Sequence, residues 1–360
     1  MKVRVLVDFE AFWASLAEDV RAAERSVLVE TFSFEGDRIG LRLADAMLQS
    51  PAADRRILAD SFSRVVLSDR FLYAPGHWFN QQLRDEVAAT KAMHRDLERG
   101  GVAVRHGNPF GPSPRRLLRR NHKKLIVIDR RVAYIGGINF SEHNASWHDM
   151  MLRIDDAEAA GFLADDFDAA WQGRSAAAMK TLPGLALHAL NGRANAAAFE
   201  TVLRLIDGAE RSITVCSPYV TFPFYDRLRD ARRRGVAVTI ITPRANNWNH
   251  FSDYARWESA RGAIELRFFN GGMSHLKAML IDDRCLVAGS SNFDFLSYRI
   301  YEELLAVVTA PEVIADFRSQ VLTVDLLNST RVEDQSARIE SGWSRLRLRL
   351  LTKSLTMLLE

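Results

Sequence analysis

Two short stretches carry the residues most able to do chemistry. The first runs Asn121-His-Lys-Lys-Leu-Ile-Val-Ile-Asp129, and the second Ser274-His-Leu-Lys-Ala-Met-Leu-Ile-Asp282. His122 matches His275, Lys124 matches Lys277 and Asp129 matches Asp282, each pair 153 residues apart. The register carries on to Gly136 and Gly289, to Asn139 and Asn292, and to an acid pair, Asp149 and Glu302. With nine His and seven Lys in 360 residues, one His-x-Lys-x4-Asp pattern is expected on the order of 0.01 times by chance. Two copies with matching downstream residues are an internal repeat.

The residue types fit phosphoryl transfer. On a strand His122 and Lys124 share a face, as do His275 and Lys277, while Asp129 and Asp282 fall on the opposite parity at the strand end. The His and Lys therefore belong to a site, and each Asp braces a turn. Asn139 and Asn292 follow small residues, Gly136-Gly137 and Gly289-Ser290-Ser291, that let a ligand approach the backbone. Brought together about a pseudo-two-fold axis, the copies offer two ammonium groups and two amides for phosphate oxygens. One imidazole attacks phosphorus and the other protonates the leaving oxygen. Asp149 and Glu302 are placed to hydrogen-bond one His each and fix its tautomer. A Lys two residues from each His is a poor neighbour for a metal ion, so the reading calls for no metal and no cofactor.

Positioning such a site takes elements that themselves repeat. Ala23-Glu-Arg-Ser-Val-Leu-Val-Glu30 resembles Ala209-Glu-Arg-Ser-Ile-Thr-Val-Cys216, each preceded by helix-period residues, 12–23 and 199–209. Residues 56–60, 102–105, 236–241 and 264–268 read as strands, and 78–99, 225–234 and 248–261 as helices. Alternation of this kind predicts a layered α/β fold in each half. The Ala/Gly-rich stretch from Gly173 to Ala198, with Pro183-Gly184 inside it, reads as the connector. The expected organisation is a first repeat over 1–180, a second over 181–325 and a tail over 326–360.

Composition bounds the rest. A chain with 48% hydrophobic and 26% charged residues is ordinary globular material. Cys216 and Cys285 allow at most one bridge, which excludes a disulfide scaffold. No run of 18 apolar residues occurs, and the N-terminus meets Asp8 too early for a signal-peptide core. The reading is a soluble, cytoplasmic protein. Net charge is only +3, weak support for duplex binding.

At the doubled His-x-Lys-x4-Asp and its Gly-Gly or Gly-Ser and Asn, the sequence resembles the phospholipase D superfamily, and within it the bacterial cardiolipin synthase branch. The likeness also takes in Glu30-Thr-Phe-Ser-Phe34, Trp147-His-Asp149, Ser217-Pro-Tyr219, Gly272-Met-Ser-His275 and Gly289-Ser-Ser-Asn-Phe-Asp294, with Ser297 and Glu302. It implies two pseudo-symmetric α/β/α sandwich repeats sharing one active site, and ping-pong transfer without a metal. His122 is then the nucleophile and His275 the acid/base, with Lys124, Asp129, Lys277 and Asp282 in the catalytic set. Asn139, Asn292, Asp149, Glu302 and Ser291 support the phosphate. The branch implies phosphatidyl transfer between phospholipids, with hydrolysis to phosphatidic acid, or nuclease-type phosphodiester cleavage, as the alternatives. Many members carry two N-terminal transmembrane helices; this sequence resembles the shorter form.

The implied partner is anionic phospholipid at a membrane surface rather than nucleic acid, with the protein peripheral on the inner face of the cell membrane. Two segments are candidates for docking it. Residues 115–124 hold six basic residues in ten, and Trp343–Leu359 carries four cations on an amphipathic, Leu-rich pattern.

Overall fold

The computed structural model describes residues 1–77, 79–111 and 118–333. The first half builds a seven-stranded sheet in the order β1-β9-β8-β7-β2-β3-β6. Its strands are β1 (Lys2–Val7), β2 (Ser26–Thr31), β3 (Asp54–Asp60), β6 (Ala103–Gly107), β7 (Leu125–Ile128), β8 (Val132–Gly136) and β9 (Met150–Asp155). A small hairpin, β4 (Val66–Leu67) and β5 (Arg70–Phe71), stands off this sheet. The second half builds nine strands in the order β10-β11-β17-β16-β15-β12-β13-β14-β18. These are β10 (Ala178–Leu182), β11 (Leu185–Asn191), β12 (Ser212–Cys216), β13 (Ala237–Pro243), β14 (Glu265–Phe269), β15 (Ala278–Ile281), β16 (Cys285–Gly289), β17 (Glu302–Val308) and β18 (Ser329–Arg331). Strand for strand, β11-β17-β16-β15-β12-β13-β14 repeats the first sheet's topology. The second sheet adds β10 at one edge and β18 at the other.

The central strands β7, β15 and β16 are short and apolar throughout because both faces of the sheet are covered there. In β7, Leu125 and Val127 face one core while Ile126 and Ile128 face another. The first core lies between the sheets, where Leu125, Val127, Ala133 and Ile135 meet Leu276, Ala278, Leu280 and Leu286. Helices Ala157–Trp171 and Pro311–Phe317 pack into that same layer through Leu163, Phe167, Val313 and Phe317. On the outer faces lie helices Asp8–Arg21, Arg38–Gln49 and Gln81–Arg99 in the first half, and Asn195–Asp207, Phe224–Arg233 and Asn249–Gly262 in the second. The first of these shows why the segment is helical. Phe9, Phe12, Leu16 and Val20 recur at three- and four-residue spacing and are all buried. The fold is thus two α/β/α sandwiches stacked through their inner faces.

The stretch read as a connector differs. Residues 178–191 form a β-hairpin belonging to the second sheet, with Met179 opposite His188 and Leu182 opposite Leu185. Pro183-Gly184 is its turn: Gly184 has φ +75°, the conformation a Pro-Gly turn requires. The same two residues that mark a linker also mark a hairpin, and only the pairing with β17 decides between them. The second sheet accordingly begins at Ala178 and reaches Arg331 in β18, beyond residue 325. The tail segment Trp343–Leu359 lies outside the described residues. No helix among the described residues is long and apolar enough to cross a membrane.

Candidate active site

In each sheet the parallel strands and their antiparallel neighbours bring four loops to one end. In the first half these follow β2, β3, β6 and β8 and precede β7 and β9. His122 and Lys124 sit just before β7, Asn139 just after β8 and Asp149 just before β9. His275, Lys277 and Asn292 hold the same places around β15 and β16.

Backbone bonds stitch the two ends together. His122 N–H donates to the Glu302 carbonyl (2.9 Å) and Glu302 N–H to the Arg120 carbonyl (2.9 Å). Reciprocally, His275 N–H donates to the His148 carbonyl (2.7 Å) and His148 N–H to the Met273 carbonyl (2.9 Å). Each motif is therefore anchored on the opposite half. Both His and both Lys are buried, and each ammonium donates to the carbonyl of its own His, Lys124 to His122 at 2.8 Å and Lys277 to His275 at 2.6 Å.

The acids cross over in the same way. His275 Nδ1 lies 2.7 Å from Asp149 Oδ2 of the first half. His122 Nδ1 lies 3.0 Å from an acid of the second half, and that acid is Glu303. The sequence register places Glu302 there, and the structure corrects it. The Glu302 side chain turns to Arg119 in an ion pair (2.5 Å). The reason is one extra residue. Gly136 pairs with Met151 on the neighbouring strand, but Gly289 pairs with Leu305, so the offset slips from 153 to 154 between Asn292 and β17. Aligning the apolar runs that follow, Asp149-Met-Met-Leu with Glu303-Leu-Leu-Ala, finds the right residue.

The two acids are held differently. Asp149 accepts the Met150 N–H at 2.8 Å, and a Cβ on Gly137 would lie 2.3 Å from its carboxylate, so only glycine fits there. Burial opposes its charge, but the Lys277 ammonium and the bond from His275 outweigh it and hold the carboxyl below its usual range. Glu303 accepts from Ser290 Oγ (2.5 Å), at the place of Gly137, and from Ser297 Oγ (3.0 Å). Burial pushes Glu303 up to about 8 in spite of Lys124 and the two serines. Burial, Lys124 and Lys277 push His122 well down, and burial and Lys277 push His275 down to about 3. Burial likewise takes Lys124 to about 7 and Lys277 to about 8. The groups titrate as one coupled set.

With both Nδ1 atoms engaged, each imidazole has its Nε2 left for chemistry. Phe32 and Tyr301 flank His122 with ring centroids at 4.9 and 5.6 Å, and Trp147 and Tyr219 flank His275 at 5.0 and 6.4 Å. Asn139 and Asn292 are buried with an amide oxygen that finds no partner. Asp129 and Asp282 lie at the far ends of β7 and β15. There Asp129 accepts the N–H groups of Glu24, Arg25 and Ser26, and Asp282 those of Glu210, Arg211 and Ser212. They tie the loop before β2 and before β12, and they do not enter the pocket. Ser291 Oγ donates to the Asn292 carbonyl, while its neighbour Ser290 supports the acid.

The residues that reasoning from the repeat missed are Glu303, Ser290 and the four rings. Trp147 and Tyr301 keep the slipped offset of 154, each two residues before its acid, so the corrected register points to them, whereas Phe32 and Tyr219 have no such match. His148, without an argued partner in the sequence, bridges Asp8 (2.7 Å) and Asp325 (3.0 Å). The basic run before the first motif is spent internally where it is described. Arg119 pairs with Glu302, Arg120 with Asp60 (3.2 Å) and Lys123 with Asp166 (2.5 Å). Residues 112–117, with Arg115 and Arg116, lie outside the described residues.

Paired histidines backed by acids, with two ammonium groups at their sides, define a phosphodiesterase or phosphoryl-group transferase whose single site straddles two repeats. The chain belongs to the family described as the cardiolipin synthase, phospholipase D-like domain, whose model matches residues 16–171 and 202–323. It is an enzyme of phospholipase D type. Cardiolipin synthase B of Salmonella typhimurium is 25% identical over 95% of this chain and 84% of its own length. Cardiolipin synthase B of Escherichia coli K12 is 26% identical over 85% and 76%. Cardiolipin synthase A of Pseudomonas syringae is 27% identical over 90% and 68%. Among solved structures, the phosphatidylserine synthase of Haemophilus influenzae superposes with a TM-score of 0.70 at 13% identity, covering 99% of this chain and 95% of that one. That likeness is one of fold.

Proposed function

We propose that this chain moves a phosphatidyl group between phospholipids, in the manner its cardiolipin synthase relatives are named for, through a phospho-histidine on His122. The observation that carries the assignment of roles is the unequal backing of the two histidines. Asp149 stays ionised against His275 Nδ1, the setting that best holds an imidazolium, so His275 is the acid. Burial, Lys124 and Lys277 keep His122 neutral, and Glu303 Oε1, accepting its Nδ1–H, leaves the Nε2 lone pair free to attack.

In the first step His122 Nε2 bonds to phosphorus, the phosphorus–oxygen bond to the departing head group breaks, and His275 gives its proton to that oxygen. In the second, the hydroxyl of an acceptor lipid gives its proton to His275 and its oxygen displaces His122. Lys124, Lys277, Asn139 and Asn292 hold the non-bridging oxygens. The incoming phosphodiester anion offsets the lysine charge, and this is what lets His275 carry a proton despite its low value in the empty pocket. The work is placed at the inner face of the cell membrane, where anionic phospholipid donors and acceptors lie.

The test is to incubate the protein with vesicles of labelled phosphatidylglycerol, with and without phosphatidylethanolamine, and to separate the products. Cardiolipin with released glycerol or ethanolamine supports transfer. Phosphatidic acid alone makes water the acceptor and overturns the transferase reading. His122→Ala should lose all but about a hundredth or less of the rate, as expected when a nucleophile is removed.

A further inference from the structure

The exposed aromatic side chains are not scattered. Among the described residues six are exposed: Phe71 (50%), Tyr73 (63%), Phe79 (88%), Phe110 (37%), Phe222 (45%) and Trp248 (61%). All six sit on the segments that follow the parallel strands β3, β6, β12 and β13, Phe71 within β5, at the end of the molecule that carries both histidines. The other exposed large apolar side chains, such as Met1, Leu41 and Met179, are aliphatic or Met.

Contacts fix these loops to the rim of the pocket. Phe62, ahead of the β4–β5 hairpin, stacks on Phe32 at 5.2 Å, and Phe32 touches His122. Asp69 at the hairpin's tip bonds Asn247, which also accepts from Tyr219 Oη, whose ring faces His275. Trp248 is the next residue after Asn247, and Phe222 follows Thr221, whose hydroxyl accepts the Phe295 N–H at 2.8 Å. Phe110 packs on the Arg120 guanidinium at 4.5 Å. The same loops expose Arg64, Arg70 and Arg244 against one exposed acid, Asp69.

We infer that this aromatic rim is the surface by which the protein sits on an anionic phospholipid bilayer, with the pocket facing the lipid. Tyr and Trp suit the headgroup boundary, with one end apolar and the other wet, and the Phe rings supply the apolar surface that buries just below it. Interleaved arginines match the charge of an anionic leaflet. The geometry also explains how a buried pair of histidines reaches a lipid phosphate: the rim enters the headgroup layer and brings the pocket mouth to phosphate depth. The inference rests on the lipid reading above and names its docking surface, a different one from the basic run before the first motif and the C-terminal tail.

The experiment uses the full chain and the triple variant F71S/F79S/W248S, all three exposed and outside the catalytic set. Sedimentation with vesicles of phosphatidylglycerol and phosphatidylethanolamine should show the variant's partitioning reduced about tenfold or more, given the apolar area withdrawn from the interface. Its turnover of monomeric, short-chain phosphatidylglycerol should stay within about twofold of the parent, which also shows that it is folded. W248F, which keeps an aromatic ring, should bind as the parent does. A triple variant that sediments like the parent overturns the rim, whatever the enzyme's substrate. A parent that binds vesicles through the rim but turns over no lipid overturns the function and leaves the rim standing.

Discussion

The two halves present one backbone twice and fill it with different interiors. Beneath His122, Glu30, Asp60, Arg120, Asn121, Lys123 and Asp166 form a buried charged cluster. Asn121 Nδ2 donates to Glu30 (2.5 Å), its N–H donates to Asp60 (2.7 Å), and Lys123 pairs with Asp166. At the matching positions beneath His275 stand Cys216 for Glu30, Met273 for Arg120, Ser274 for Asn121 and Leu276 for Lys123. Leu276 is fully buried in the layer between the sheets. Duplicated geometry therefore brings the reacting groups together, while the surroundings set which proton each one holds. Symmetry positions the site, and asymmetry divides the labour.

The acid partners give the sharpest way to break this comparison. If their roles differ as their environments do, Asp149→Asn should cost about 10³-fold or more in kcat. It removes the charge that supports the His275 imidazolium and favours the wrong tautomer. Glu303→Gln should cost no more than about tenfold, because Glu303 carries its proton at neutral pH and the amide can still serve Ser290, Ser297 and His122. Single-turnover rates on labelled lipid at pH 7 measure both. Equal losses would mean that the two halves are electrostatically equivalent and that the assignment of His122 as nucleophile has no support in the structure.

The interiors give the next largest effect, on stability rather than rate. Lys123→Leu installs the residue that the second half uses at that position. It leaves Asp166 and the already proton-hungry Glu30, whose carboxyl burial pushes up to about 7, without their cation. Removing one member of a buried pair costs about 3–5 kcal/mol. Denaturant unfolding should show that loss, and it should shrink when Asp166→Leu is added. A Lys123→Leu protein as stable as the parent would show that the charged cluster has no structural part to play.

Much of this was legible in the sequence, and for identifiable reasons. The repeat, the α/β alternation and the His, Lys and Asn constellation are written in spacing, and spacing survives as long as no residue is inserted. It fails at Glu302, where the one-residue slip before β17 moves the acid to Glu303. Asp129 and Asp282 belong to the repeat as fully as the histidines do, yet parity already sets them on the other face, and the structure places them on loop amides. Pro183-Gly184 shows the opposite failure. A local signal for a turn is silent about whether the turned strands pair, and that is a matter of contact with β17. The rings around the histidines come from four separate loops and the aromatic rim from another set that shares only the one after β12, so only the fold brings them together.

The smallest effect concerns the two lysines together, and it is read by pH. In the empty pocket Lys124 loses its proton near 7 and Lys277 near 8, both because burial disfavours the ammonium. Raising the pH through that window strips positive charge from the free enzyme and weakens its hold on a phosphodiester anion. Since kcat/KM reports the free enzyme, it should fall about tenfold or more between roughly pH 6.5 and 8.5 as the coupled lysines lose charge. A bound anion restores both ammonium groups, so kcat should change little over the same range. A fall in kcat that tracks kcat/KM would instead place the titrating group in the chemical step.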